Sequence, residues 1–145
     1  MHSSFLTLAI RIALGAHGDT LDKGGMPYIL HPLHVMDCVD SIDAKIVAVL
    51  HDTIEDTSQT LVGLWTAGFS DEIIDAIDAI SKRKGEKNQD YWARVKANPL
   101  ALRVKLADIA HNSSEGRLAA LPKEEADYLR NKYSKARDFF KQVES

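Results

Sequence analysis

Cysteine is almost absent from this chain: Cys38 is the only one among 145 residues. That excludes an internal disulfide and any thiolate cluster able to hold zinc, and it makes a reducing, cytoplasmic setting the expectation. Neither sign of charge dominates. The net charge of −3 leaves no global basic field to gather nucleic acid. No apolar run approaches the length needed to span a bilayer, and the opening Met1-His2-Ser3-Ser4 lacks the basic region of a secretory signal. No repeat, low-complexity tract or linker-like shift in composition divides the chain. With 45% hydrophobic and 27% charged residues it is an ordinary globular composition, and a single domain over 1–145 is expected.

What is present is helical periodicity. Phe5, Leu6, Leu8, Ala9, Ile12, Ala13 and Ala16 recur at helical spacing and predict a first helix over 4–17, ended by Gly18-Asp19-Thr20. Pro32 suits the first turn of a helix, which puts His31 at its entrance with His34 three residues on. Ser41 is a candidate cap for the next helix. Ser58 with Gln59 and Thr60 is expected to open a helix over 61–67, with Gly68 as terminator. Ser70-Asp71-Glu72 restarts with acidic residues where the helix dipole favours them. The basic run 81–87 reads as a solvated loop. A short helix follows around Tyr91, Trp92 and Val95. Pro122-Lys123-Glu124-Glu125 then opens a last helix whose interleaved Lys, Arg and acids read as a solvated side. No segment reads as a strand, so the fold class is all-α.

The most informative stretch is Val47-Ala48-Val49-Leu50-His51-Asp52-Thr53-Ile54-Glu55-Asp56. As one continuous helix, turning about 100° per residue, it sets His51, Asp52, Glu55 and Asp56 on one side and Val47, Leu50 and Ile54 on the other. Three carboxylates beside one imidazole repel one another unless a cation compensates, and a divalent metal is the economical answer. The plain alternative is a solvated turn, against which the apolar run leading in counts. A second helix, opened by Asn98-Pro99, is apolar nearly all round yet carries Lys105, Asp108 and Asn112 within about 60° of one another. A carboxylate on a buried helix needs a partner. Either Lys105 forms a structural ion pair with Asp108, or Asp108 is a fourth metal ligand with Lys105 and Asn112 beside a substrate.

The order His31, His51-Asp52, Asp108 offers two imidazoles and two carboxylates, a set suited to manganese, iron or zinc. His-Asp on such a helix is the signature of HD-domain metal-dependent phosphohydrolases. The surrounding words narrow the resemblance. Ala16-His17-Gly18, Pro27 to Leu33, His51-Asp52-Thr53-Ile54-Glu55-Asp56-Thr57, and Val104-Lys105-Leu106-Ala107-Asp108 with Asn112 resemble the hydrolase domain of RelA/SpoT-type stringent-response enzymes from about Ala16 to Leu118. No further segment reads as a synthetase or regulatory domain, so the chain is similar to the stand-alone small alarmone hydrolases.

That resemblance implies a compact HD-type helical bundle and a manganese-dependent 3′-pyrophosphohydrolase of (p)ppGpp, although another divalent metal would serve. By position, His31 rather than His34, with His51, Asp52 and Asp108, would hold the metal. Glu55 and Asp56 would position and deprotonate the attacking water, and Lys23, Lys105 and Asn112 would touch substrate. The implied partner is a small nucleotide, with no nucleic acid and no membrane. Two places depart from the family's pattern. Asp22 stands where a base-packing cation is usual, and Ser113-Ser114-Glu115 follows Asn112, where Glu115 is expected to bring negative charge near the nucleotide. Other readings are hydrolysis of a different nucleotide, such as NADPH or a nucleoside phosphate, and a non-catalytic nucleotide-binding module.

Overall fold

The computed structural model describes residues 2–142, with side chains from Ser4 onward. Among these residues every regular element is a helix, and the one β feature is an isolated bridge between Leu21 and Pro27. The order is α1 (His2–His17), α2 (Leu30–Asp37), α3 (Ile42–Leu50), α4 (Thr53–Asp56), α5 (Leu61–Thr66), α6 (Asp71–Ile80), α7 (Asn88–Ala97), α8 (Pro99–Asn112), α9 (Glu115–Leu118) and α10 (Lys123–Lys141). No helix among the described residues is long and apolar enough to cross a membrane.

The centre of the fold is α3. Ala44 and Ile46 to Leu50 are all buried, and α1, α2, α6 and α8 pack around them. The run 46–50 is apolar on every side and has no face to give to water, so its neighbours must surround it. Truncating Leu50 to Ala would cost about 2–5 kcal/mol on that account. Helix starts follow local chemistry: the side chains of Ser41, Ser70 and Asn98 accept from the backbone N–H of Ala44, Ile73 and Ala101, and Pro99 opens α8. Ser58 does not cap α5 as expected. Thr60 does, accepting from Gly63 N, while the Thr57 hydroxyl accepts from Gln59 N in the turn before it. Gly18, with φ of 55°, takes the left-handed conformation just past α1.

The largest departure from the sequence reading is the central stretch, which is not one helix. α3 ends at Leu50, Asp52 sits at φ −114° and ψ 3°, and α4 starts afresh at Thr53. The freed carbonyls find side chains. His51 Nδ1 donates to Ala48 O at 2.6 Å, and the Thr53 hydroxyl donates to Leu50 O at 2.9 Å. The break parts the four ionisable groups that a continuous helix would have kept together.

The loop 81–87 is less solvated than its charge suggests. Arg94 of α7 pairs with Glu86 and also donates to Ser81 O at 2.9 Å, and both partners of the ion pair are largely shielded from solvent. The guanidinium holds the Glu86 carboxyl at about 2, against an ordinary 4.5. The folded-state value is depressed, so the stabilisation is complete above pH 4.5 and is lost as pH falls through about 2. Glu86→Gln should therefore be less stable than the native chain at pH 7, with the gap closing between pH 4.5 and 2. Urea midpoints at several pH values test this, and a gap that widens in acid contradicts it.

Candidate metal centre and nucleotide cavity

Asp108 is carried into the interior by α8 and is met there from four directions. Its Oδ1 lies 2.7 Å from His31 Nε2, 3.2 Å from His51 Nε2 and 3.0 Å from Asn112 Nδ2, and its Oδ2 lies 3.1 Å from Lys105 Nζ. Burial would raise the acid's pKa, but Lys105 and the two imidazoles hold it well below the ordinary range. Lys105 shows the mirror effect: burial would lower its pKa, yet the carboxylate keeps it high. The Lys105, Asp108, Asn112 face read from the sequence is thus a real contact set, and the ion pair and the convergence on the histidines exist together.

Each imidazole is oriented by its other nitrogen, as metal-binding histidines usually are. His51 Nδ1 is tied to Ala48 O by the break after α3, which aims Nε2 inward. His31 Nδ1 lies 2.7 Å from His111 Nδ1, and the two rings stack with 9° between their planes. Burial, then the neighbouring His31 and His34, push His111 down to about 4. His111 is therefore uncharged at ordinary pH, and the hydrogen bond between the two Nδ1 atoms is set by the tautomers of the rings. His34 stands outside this set, exposed and stacked on His111.

Ligand atoms of His31, His51 and Asp108, all buried, lie within 4.8 Å of one another, close enough to share one ion. Asp52 adjoins them, with Oδ2 3.9 Å from His51 Nε2 and bonded by the Tyr28 hydroxyl. Its other oxygen faces His17 Nε2 at 3.2 Å without hydrogen-bond alignment, and both atoms are buried with no other partner. Burial works against the Asp52 charge, but His51, His17 and Tyr28 bring its pKa down to about 2. Burial opposes the His51 charge too, and Asp52 and Asp108 lift its pKa to about 9. Two anionic carboxylates, one of them with an orphaned buried oxygen, and two inward imidazoles are a donor set that fits a divalent cation.

Two cavities lie next to this centre. Their walls hold none of His31, His51, Asp52 and Asp108, but do hold residues that contact them, His17, Tyr28, His111 and Asn112 in one and Lys105 in the other. The larger, about 1060 Å³, is lined by His17, Tyr28, Asp56, His111, Asn112 and Arg117 among others, with Lys23 at its edge. The smaller, about 90 Å³, is lined by Glu55, Lys82, Asn88, Tyr91, Lys105 and Lys132 among others. The broken helix therefore sends Asp56 to one cavity and Glu55 to the other. Both side chains keep an exposed face, yet partial burial of their carboxyls raises both pKa values, and Asp52 adds to the rise at Asp56. Of the residues expected to touch substrate, Asn112 and Lys23 line the large cavity, and Lys105 lines only the small one. Lys23 is paired with Glu125 of α10.

The two departures at the pocket resolve differently. Asp22 does line the large cavity, but its carboxylate accepts from Gly24 N and Met26 N at 2.9 Å and lies 3.7 Å from Arg117. Its charge is spent on the turn and on a guanidinium. Glu115 corrects the expectation made for it: it points outward to Arg130 at 3.0 Å, exposed, and does not line the cavity. His17, Tyr28, His111 and Arg117 are the site residues the sequence reading left without a role. For His111 a signal existed, since it follows Asp108 by three residues on the same helix.

No protein-family model matches the chain. It is 32% identical over 122 residues to a "Probable GTP pyrophosphokinase" of Mycobacterium leprae, covering 75% of this chain and 15% of that one. It is 28% identical over 123 residues to the guanosine-3′,5′-bis(diphosphate) 3′-pyrophosphohydrolase of Aquifex aeolicus (77% and 18%), and 31% identical over 116 residues to the protein so named in Haemophilus influenzae (70% and 17%). Its fold matches a solved structure described as a metazoan SpoT ortholog that hydrolyses ppGpp, with a TM-score of 0.81 and 18% identity over 98% of this chain and 88% of that one. The chain is an HD domain of the RelA/SpoT hydrolase type. Its match spans less than a fifth of the length of each of these curated relatives, and the all-α architecture of the HD domain agrees with the structural neighbour.

In this HD domain the Lys105–Asp108 pair should matter for folding as well as for the site. Asp108→Ala leaves an ammonium without its partner, at a cost of about 3 kcal/mol. Adding Lys105→Met should recover much of it. Denaturation of the single and double variants measures this, and a neutral single variant contradicts it.

Proposed function

We propose that this chain is a manganese-dependent 3′-pyrophosphohydrolase that converts (p)ppGpp to GDP or GTP and pyrophosphate, acting as one hydrolase domain in the cytoplasm. The observation that carries the reading is the convergence of His31, His51 and Asp108 on one point, with Asp52 beside them, close to a cavity large enough for a nucleotide whose walls include their contacts His17, His111 and Asn112. The relatives named above add support.

In this reading His31, His51, Asp52 and Asp108 hold the metal, manganese or a similar divalent ion. When bound, it lowers the pKa of water and offsets phosphate charge. Lys105 keeps Asp108 anionic and fixed, while Ala48 O and His111 orient the two imidazoles. The water oxygen bonds to the phosphorus carried on the ribose 3′-oxygen, and the bond between them breaks. The water's proton goes to Glu55 or Asp56, whose raised pKa values suit proton acceptance nearer neutrality. The same carboxyl returns that proton to the departing 3′-oxygen, so the nucleotide leaves with a 3′-hydroxyl and the water's oxygen leaves in the pyrophosphate. Asn112, Lys23 and Arg117 face the nucleotide in the large cavity.

A panel of (p)ppGpp, NADPH and GTP incubated with manganese, with products separated by chromatography, tests the substrate. Release of pyrophosphate from (p)ppGpp is expected, and intact (p)ppGpp beside hydrolysis of another nucleotide overturns it. Glu55→Gln should retain the metal and lower kcat by about 10²–10⁴-fold. Unchanged turnover, or metal loss, contradicts the role given to Glu55.

A further inference from the structure

The basic side of α10 is not wholly a solvated face. Lys132 is half-buried and lines both cavities. In the small cavity it joins Lys82 and Lys105, so that three ammonium groups meet one carboxylate, Glu55. Two of the three are engaged. Lys82 Nζ donates to Asn88 Oδ1 at 2.7 Å, and Lys105 Nζ to Asp108 Oδ2 at 3.1 Å. Glu55 accepts from the Lys82 backbone N–H. Lys132 makes no ion pair or hydrogen bond among the described residues; the Tyr133 ring lies 5.9 Å from its nitrogen, and Asp108 and Glu55 act on it only from farther off. Burial, then Lys105 and Lys82, loosen its proton. A half-buried cation crowded by two others is costly unless an anion joins it.

The size of the space limits that anion. About 90 Å³ excludes a nucleoside and admits a phosphoryl group. The small cavity lies beside Glu55 and shares Lys132 with the large one, so an anion there would be continuous with a nucleotide in the larger space.

We propose that the small cavity is a phosphoryl-anion subsite, anchored by Lys132, that takes the end of the pyrophosphoryl group remote from the nucleoside. This rests on the function proposed above. The shared chemistry is a phosphoryl group, whether on bound substrate or on released pyrophosphate.

Inorganic pyrophosphate is titrated calorimetrically into the whole chain under excess manganese, and GDP is titrated separately. Lys132→Gln should weaken pyrophosphate binding about tenfold or more, the order expected for losing a charge-assisted hydrogen bond. Lys132→Arg should restore it, and GDP affinity should fall by clearly less than pyrophosphate affinity in Lys132→Gln. A KM for (p)ppGpp that rises in step assigns the subsite to bound substrate, and a KM that stays fixed assigns it to free product. Undiminished pyrophosphate affinity in a folded Lys132→Gln variant overturns the proposal, and so does an equal loss for GDP. Binding is read without turnover. A chain that binds pyrophosphate through Lys132 yet leaves (p)ppGpp intact refutes the proposed function and keeps the subsite.

Discussion

A carboxylate carried into the interior of a protein must be met from every side, and Asp108 is the group around which this chain is built. α8 delivers it, α2 brings His31 to it, and the end of α3 brings His51. Lys105 and Asn112, one turn before and one turn after on the same helix, fill the remaining directions. Burying a charge this deeply is tolerable only when its partners are fixed. That requirement explains why the best-packed helix of the fold, α3, ends at the site. The apolar packing of α3 holds the break after Leu50 in place, and the break turns the His51 ring inward.

The same break divides the labour at the site. A continuous helix would have placed Glu55 and Asp56 together, competing for one cation. Instead each opens into its own cavity. The four ligand-like groups are buried, whereas Glu55 and Asp56 keep an edge in water. The separation suits a centre in which some side chains hold and others exchange protons.

Much of this was legible in the sequence, for reasons that can be named. The caps at Ser41, Ser70 and Asn98 are local chemistry, and the all-apolar run of α3 could only be buried. The i, i+3, i+7 spacing of Lys105, Asp108 and Asn112 placed them together because helix periodicity is rigid. The break at His51-Asp52 was not legible, because it depends on the His51 ring and the Thr53 hydroxyl taking over carbonyls that a helix would otherwise satisfy. Glu115 was misjudged, and the neutralisation of Asp22 was missed, for a related reason. Their charges are answered by Arg130 and Arg117, and the Glu115–Arg130 pair joins α9 to α10, a contact that no local pattern announces. Lys132 was hidden likewise: one lysine among many on a polar helix face shows its burial only once α10 is docked.

The central claim is that the buried His/Asp cluster gathers a single divalent ion. The most direct measurement is anomalous diffraction at the manganese edge from crystals of the whole chain grown with manganese. The account predicts one strong peak in contact with His31, His51, Asp52 and Asp108. A protein that takes up manganese only elsewhere, for instance at the exposed His34 and Asp37, or that shows no peak at the cluster under saturating metal, would contradict it.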